Sequence, residues 1–334
     1  MRYGLRFWAE FMSPPEIVEK ALPLLVEFGA GVSVSVPEGS LSDENAKAFR
    51  EIKAAGVELT FWPLLAREKG YFPNEANVPA FAEMVHDLIA WAEGNGVLPD
   101  MIAVDLELPL EQISIFLGAQ SGGGARKALD MLRENLNPQR FREARSGLIE
   151  LNSWIRNRGI KTLAAVLPWV ALELFGDGET VQDLMETPVA GIEWDLISPM
   201  LYVSMFEGMT GGRISAFDAN SLVYETVVRL RNKYGGRAAV SLGVTGTGVL
   251  GNEPTFDTVE ELMVGVEASL AAGARDISIY NLEGVISREN PRVWLEALKA
   301  ARPRVPERSA KVVRTLGALR NLYPAVSRLK DKLS

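Results

Sequence analysis

The chain has 334 residues, nearly half of them apolar, and a formal net charge of −8. That length holds one large domain or two ordinary ones around a sizeable core, and the acidic balance argues against nucleic acid as a partner. There is no cysteine and a single histidine, His86, so disulfides, thiolate chemistry, histidine triads and His-rich metal centres fall away; acid–base work is left to carboxylates, Tyr and Lys.

No apolar run reaches transmembrane length, and residues 1–6 enter strand-like sequence without the apolar stretch of a signal peptide, so a cytoplasmic location is expected. Residues 3–9 read as a first strand. Pro14 and Pro15 open a helix to about 28, with Ile17, Ala21, Leu24 and Leu25 at helical spacing and Gly29 at its end. Residues 32–36 alternate Val with Ser33 and Ser35, a second strand. Ser42 caps a helix to 55, stopped by Gly56, and residues 57–64 form a third strand with Thr60 and Trp62 on one face. A Pro- and Asn-rich loop precedes a long helix over 78–93. Residues 100–109 are the fourth strand. The helical region over 110–158 is broken by Gly122, Gly123, Gly124 and Pro138; it is longer than one crossover needs, which predicts a helical insertion around 110–140. The fifth strand spans 161–167 and runs into Pro168 and Trp169; the sixth spans 196–202. A loop over 204–216 precedes a helix to 234, then a seventh strand over 238–244 with a Gly-rich loop to 255. A helix over 259–272, an eighth strand over 276–280 and a helix over 290–301 complete the series.

Eight strands alternating with helices of ten or more residues predict an α/β fold, a closed (β/α)8 TIM barrel over residues 1–301, with an open doubly wound sheet as the alternative. Residues 302–334 are different: residues 301–334 hold nine Lys or Arg against two acids, and Val312, Leu316, Leu319 and Tyr323 fall on one helical stripe. A basic amphipathic tail that packs on the acidic barrel or on a partner subunit is expected, with a membrane-surface helix as the lesser alternative.

One face of each strand is small or polar: Ser33 and Ser35, Thr60, Ala103, Ser198, Ser241 and Gly243, Ser278. A small eight-stranded lumen needs such residues. Larger groups come late on that face, namely Trp62, Asp105, Glu107, Tyr202 and Tyr280, which gathers them at the C-terminal rim where barrel enzymes keep their sites.

Asp105 and Glu107 share one face of an otherwise apolar strand, an arrangement that is costly unless the acids are paired or serve a site. Residues 100–107 read Asp100-x-x-Ala103-x-Asp105-x-Glu107, which resembles the Asp-x-x-Asp-x-Asp-x-Glu pattern of chitinase-like glycoside hydrolases of family 18, with the second acid replaced. Met200-x-Tyr202-Val203 resembles that family's Met-x-Tyr-Asp at the sixth strand, with Val203 in place of the Asp, and Tyr280 stands near the family's eighth-strand aromatic. The resemblance implies a β-linked N-acetylhexosamine glycan as substrate and no cofactor. It makes Glu107 the general acid and then base, while Asp105 and Tyr202 hold the 2-acetamido group whose carbonyl oxygen is the nucleophile. Trp62, Trp169, Met200 and Tyr280 would contact the sugar. Without the acid at position 103, Asp105 is expected to ionise more readily.

Other readings stand beside this one. A sugar-binding barrel without turnover fits the same residues. Asp105 and Glu107 could pair with an inward Arg6 as barrel-filling charges. Glu10 and Glu283 read as surface or loop carboxylates; turned inward, they would make a four-acid set suited to Mg²⁺ or Mn²⁺. Glycines 243, 246 and 248 after the seventh strand offer a phosphate loop or a lid, although no Walker-type Lys follows. His86, among apolar helix residues, reads as structural.

Overall fold

A computed structural model describes residues 3–113, 115, 125–176, 178–209, 213–248, 251 and 253–318. Eight parallel strands close into a barrel in chain order: β1 (Gly4–Ala9), β2 (Gly31–Pro37), β3 (Leu59–Leu64), β4 (Met101–Leu106), β5 (Lys161–Val166), β6 (Leu196–Tyr202), β7 (Val240–Gly243) and β8 (Asp276–Tyr280). β1 pairs with β8 from Gly4 opposite Asp276 to Trp8 opposite Tyr280, so the sheet has no free edge. Helices cross between successive strands, as parallel pairing requires. The open-sheet alternative is thereby set aside.

Period-two alternation divides the apolar residues between two layers. Outward residues such as Phe7, Val32, Phe61, Val104, Val166, Leu201, Leu242 and Ile279 pack against the helices in the larger cluster. Inward residues Trp8, Trp62, Met101, Ala103, Leu163, Ala165, Met200 and Tyr280 form a second cluster inside the barrel. The small hydroxyls Ser33, Thr60, Ser198, Ser241 and Ser278 are fully buried there.

The N-terminal end of the lumen is closed by charge. Arg6 donates to Glu58 at 2.8 Å and to Asp276 at 3.1 Å. It therefore does not neutralise Asp105 and Glu107, as the barrel-filling reading required. Asp100 also belongs to this end, accepting from the Leu59 backbone N–H at 2.8 Å and from Lys53 at 3.3 Å. The first acid of the 100–107 pattern fixes the start of β3 and β4 and is remote from the rim.

Two local expectations are corrected. The helix over 14–28 is two helices, Pro14–Lys20 and Leu22–Phe28, because Pro23 has no N–H to continue the first ladder and sits in the first turn of the second. Residues Val203–Met209 are helical where a loop was expected. Short helices Pro168–Glu173, Thr180–Leu184 and Leu282–Ile286 follow β5 and β8. They are too short to show periodicity in sequence.

After the last barrel helix, Pro291–Ala300, the chain returns along the barrel wall. Arg308 reaches Glu225, Ser309 Oγ donates to Asp218 at 2.6 Å, and Lys311 lies 3.2 Å from Asp218. Residues 310–318 are helical, and Val312 and Leu316 bury against Leu172, Trp169, Phe175 and Leu222. Leu319, Tyr323 and the glycines at 122–124 lie outside the described residues. No helix among the described residues is long and apolar enough to cross a membrane.

Candidate active site

The C-terminal rim opens into a cleft of about 1140 Å³, open water at its mouth included. Its wall carries all seven residues singled out from the sequence: Trp62, Asp105, Glu107, Trp169, Met200, Tyr202 and Tyr280. They come from β3, β4, the β5 loop, β6 and β8, and converge because each stands at or just beyond the C-terminal end of an inward-facing strand row. Sequence reasoning did not place Trp8, Glu10, Phe72 and Glu253 in the same wall, or Tyr71 behind Glu10.

Asp105 is the penultimate residue of β4, with its side chain inward, and is only 4% exposed. Its Oδ1 has no hydrogen-bond partner among the described residues. Burial, with the charges of Glu107 and Glu10 beside it, pushes its carboxyl well above the usual range. The expected easier ionisation is reversed: burial weighs most, and although Ala103 removes one acid, Glu107 and Glu10 supply two others. The Trp62 indole lies close enough to favour the charged form a little, without completing a hydrogen bond of ordinary geometry.

Glu107 lies two residues further along, just past the end of β4, half-buried in the cleft wall. Burial and the charge of Glu10 push it up to about 8. At neutral pH it therefore holds its proton, and with Asp105 it titrates as a pair.

Glu10 corrects a reading made from sequence. It is buried at the end of β1, not a surface carboxylate. Continuing the alternation Gly4, Arg6, Trp8 would have placed it inward. Tyr71 Oη donates to its Oε1 at 3.0 Å, and Tyr280 Oη donates to its Oε2. Burial raises Glu10 to about 7, while the two tyrosines pull the other way. Tyr71 reaches it from a left-handed backbone conformation (φ 67°) in the loop after β3, which no sequence pattern announced. Glu283 instead accepts from the backbone N–H groups of Phe11 (2.7 Å) and Met12 (2.9 Å), pinning the loop after β1. Among the described residues, no group of three His, Asp or Glu side chains is arranged to hold a metal ion.

Aromatic contacts set the shape. Trp8 meets Trp62 edge-on at 5.0 Å, and the Trp8 indole donates to Ser241 Oγ at 2.7 Å. Tyr202 stacks on Tyr280. Val203, where the resemblance has an acid, points away from the cleft into the outer core.

The glycines after β7 work by close approach. A Cβ on Gly248 would lie 2.1 Å from Tyr280 Oη and 2.9 Å from Glu253 Oε1; one on Gly246 would lie 2.7 Å from Gly284 Cα. Asn281 Nδ2 and Arg288 donate to backbone carbonyls of residues 245–247. These glycines let the loop after β7 lock against the loop after β8. His86 lies elsewhere, exposed on the helix Val78–Gly94 with its ring against Trp154.

No protein-family profile and no curated protein sequence matches the chain. Solved structures do resemble it. The glycoside hydrolase domain of PgaB from Bordetella bronchiseptica has a TM-score of 0.52 at 11% identity, over 89% of this chain and 99% of that one. A chitinase from Chromobacterium violaceum has a TM-score of 0.51 at 10% identity, over 90% and 98%. An endo-β-mannanase/endo-β-glucanase from Prevotella bryantii has a TM-score of 0.52 at 10% identity, over 91% of this chain and 49% of that one. At these identities the likeness concerns the barrel and leaves the chemistry to the cleft itself.

Proposed function

We propose that the cleft is the active site of a glycoside hydrolase acting on a β-linked N-acetylhexosamine glycan by a substrate-assisted, retaining route. The observation that carries this reading is that Glu107, Asp105 and Tyr202 open together on an aromatic cleft in which Glu107 keeps its proton near neutrality. In the first step Glu107 donates that proton to the glycosidic oxygen as the bond to the anomeric carbon breaks. The acetamido carbonyl oxygen of the same sugar attacks that carbon, giving a bicyclic oxazolinium. Asp105 and Tyr202 orient the acetamido group for that attack. In the second step Glu107, now ionised, takes a proton from water as the water attacks, and the sugar is released with its original configuration. Trp62, Trp169, Met200 and Tyr280 offer apolar faces for the rings.

The metal and phosphate alternatives have less support. Among the described residues no carboxylate set is arranged for a cation, and no Lys or Arg lines the cleft to meet a phosphate. A binding barrel without turnover remains the competing account. The test is a thiazoline analogue of the bicyclic intermediate, with the product anomer followed by NMR. Competitive inhibition and first release of the β-anomer are expected. Release of the α-anomer, or indifference to the thiazoline while turnover proceeds, contradicts the substrate-assisted route.

A further inference from the structure

Glu10 is held from three sides. Its backbone carbonyl accepts from Ser35 Oγ of β2 at 2.5 Å. Tyr71 Oη donates to its Oε1 at 3.0 Å and Tyr280 Oη to its Oε2, so each carboxylate oxygen has a phenol as donor. Both bonds have a structural cost. Tyr71 reaches Glu10 from a left-handed backbone, which a bulky side chain rarely adopts; such outliers gather at functional sites. Tyr280 keeps its hydroxyl in place beside a glycine: a Cβ on Gly248 would lie 2.1 Å from that oxygen. Burial, aided by the charge of Glu10, keeps both phenols protonated far above their usual range. They therefore remain donors, and two donors favour the carboxylate over the acid.

The acids of the β4 segment are treated differently. Asp105 Oδ1 has no partner among the described residues, and no hydrogen bond there favours the charged form of Glu107. All three acids line one cleft, and no Lys, Arg or His lines it among the described residues. The other charged groups facing Glu10 are Glu283 on the helix after β8, which takes the Phe11 and Met12 N–H groups, and Glu253 on the loop after β7. Behind it, Arg67 stands over the Tyr71 ring, 5.7 Å from the centroid. Glu10 ionises at about 7, while Glu107 keeps its proton to about 8.

The reaction proposed above puts a positive charge on the sugar as the acetamido oxygen closes on the anomeric carbon. Asp105 resists ionisation, and Glu107 turns negative only as its proton leaves. A carboxylate that is charged and fixed beforehand meets the new charge without reorganisation. We propose that Glu10 is a further residue of this reaction: clamped between Tyr71 and Tyr280, its carboxylate is the standing negative charge of the cleft and offsets the positive charge of the bicyclic intermediate. The inference rests on the hydrolase reading and gives a role to a side of the cleft that the mechanism leaves unused. The same charge holds the proton on Glu107 until the leaving oxygen takes it.

The test is the pH dependence of hydrolysis of chromogenic N-acetylglucosamine oligomers by the full chain, E10Q and Y71F. Wild type should give a bell in kcat/KM, with an acid limb near 7 from Glu10 and an alkaline limb near 8 from Glu107. E10Q should lower kcat by roughly a hundredfold or more with KM little changed. It should also lose the acid limb, and its alkaline limb should move to lower pH because Glu107 loses a like charge. Y71F leaves the carboxylate with one donor fewer, so its acid limb should move to higher pH. A purely structural Glu10 would lower stability and leave both limbs in place. A wild type without the acid limb, an acid limb that survives in E10Q, or one that stays put in Y71F overturns the proposal; Y71F reports if E10Q fails to fold. Turnover with any of these results sinks the role of Glu10 and leaves the hydrolase reading standing, whereas a wild type that binds sugar without turnover sinks both.

Discussion

Tyr202 and Tyr280 stack with ring centroids 5.4 Å apart and planes inclined by 23°, which links the end of β6 to Glu10 across the cleft. Tyr280 carries the consequence, because its hydroxyl is the donor to Glu10. Tyr280→Phe keeps the stack and removes the donor. Glu10 then loses one of the two hydrogen bonds that favour its charged form, so its pKa should rise from about 7. Carboxyl titration by NMR should show that rise, with a stability loss of about 1–3 kcal/mol for the unpaired buried acceptor. An unchanged Glu10 titration would contradict the assignment.

Glu107 also links pH to stability. Its folded-state pKa of about 8 lies above the ordinary 4.5, so between these values the folded chain holds a proton that the unfolded chain has released. Stability from this group is full below about 4.5 and is lost as pH rises through 8. Glu107→Gln removes the charge and keeps the shape. The variant should match wild type at pH 4 and exceed it at pH 9 by on the order of 1–3 kcal/mol, read from urea unfolding. Equal stability at both pH values would mean that Glu107 is not raised.

Arg6 tests the opposite end of the barrel. Its guanidinium is the buried partner of Asp276, so Arg6→Met should cost about 3–5 kcal/mol by stranding that acid. In the protein that remains folded, sugar affinity should be unchanged, because Arg6 serves the closed end and not the cleft.

Gly248→Ala tests the loop contact. The new methyl would meet Tyr280 Oη at 2.1 Å, so the loop must withdraw from the rim. Affinity for sugar should fall, while the melting temperature moves by a few degrees at most because the change is confined to a rim loop. A fall of ten degrees or more would place Gly248 in the core of the fold.

The barrel was legible in sequence because period-two strands and helical crossovers are local signals. Most strand ends fall within two residues of the pattern, and β6 and β8 coincide with it. The inward rows could be read the same way, which is why Trp62, Asp105, Tyr202 and Tyr280 were found. What escaped was set by tertiary approach. Tyr71 reaches Glu10 from a loop in a left-handed turn, and Glu253 arrives on a loop that glycines bring against β8. Glu10 was readable in principle, but it lies one residue past the strand, where alternation alone does not say which way a carboxylate turns. The ionisation of Asp105 was misjudged because the site buries it, and because acids from the end of β1 as well as from its own segment stand beside it.

The most direct measurement is hydrolysis of chromogenic N-acetylglucosamine oligomers by wild type and Glu107→Gln, with sugar binding measured in parallel and EDTA as a control. Wild type should turn over, with kcat/KM falling above pH 8 as Glu107 loses its proton. Glu107→Gln should bind sugar and lose turnover by at least a hundredfold, and EDTA should change nothing. Turnover that survives in Glu107→Gln, or sugar binding without turnover in wild type, would contradict Glu107 as the acid of a glycoside hydrolase.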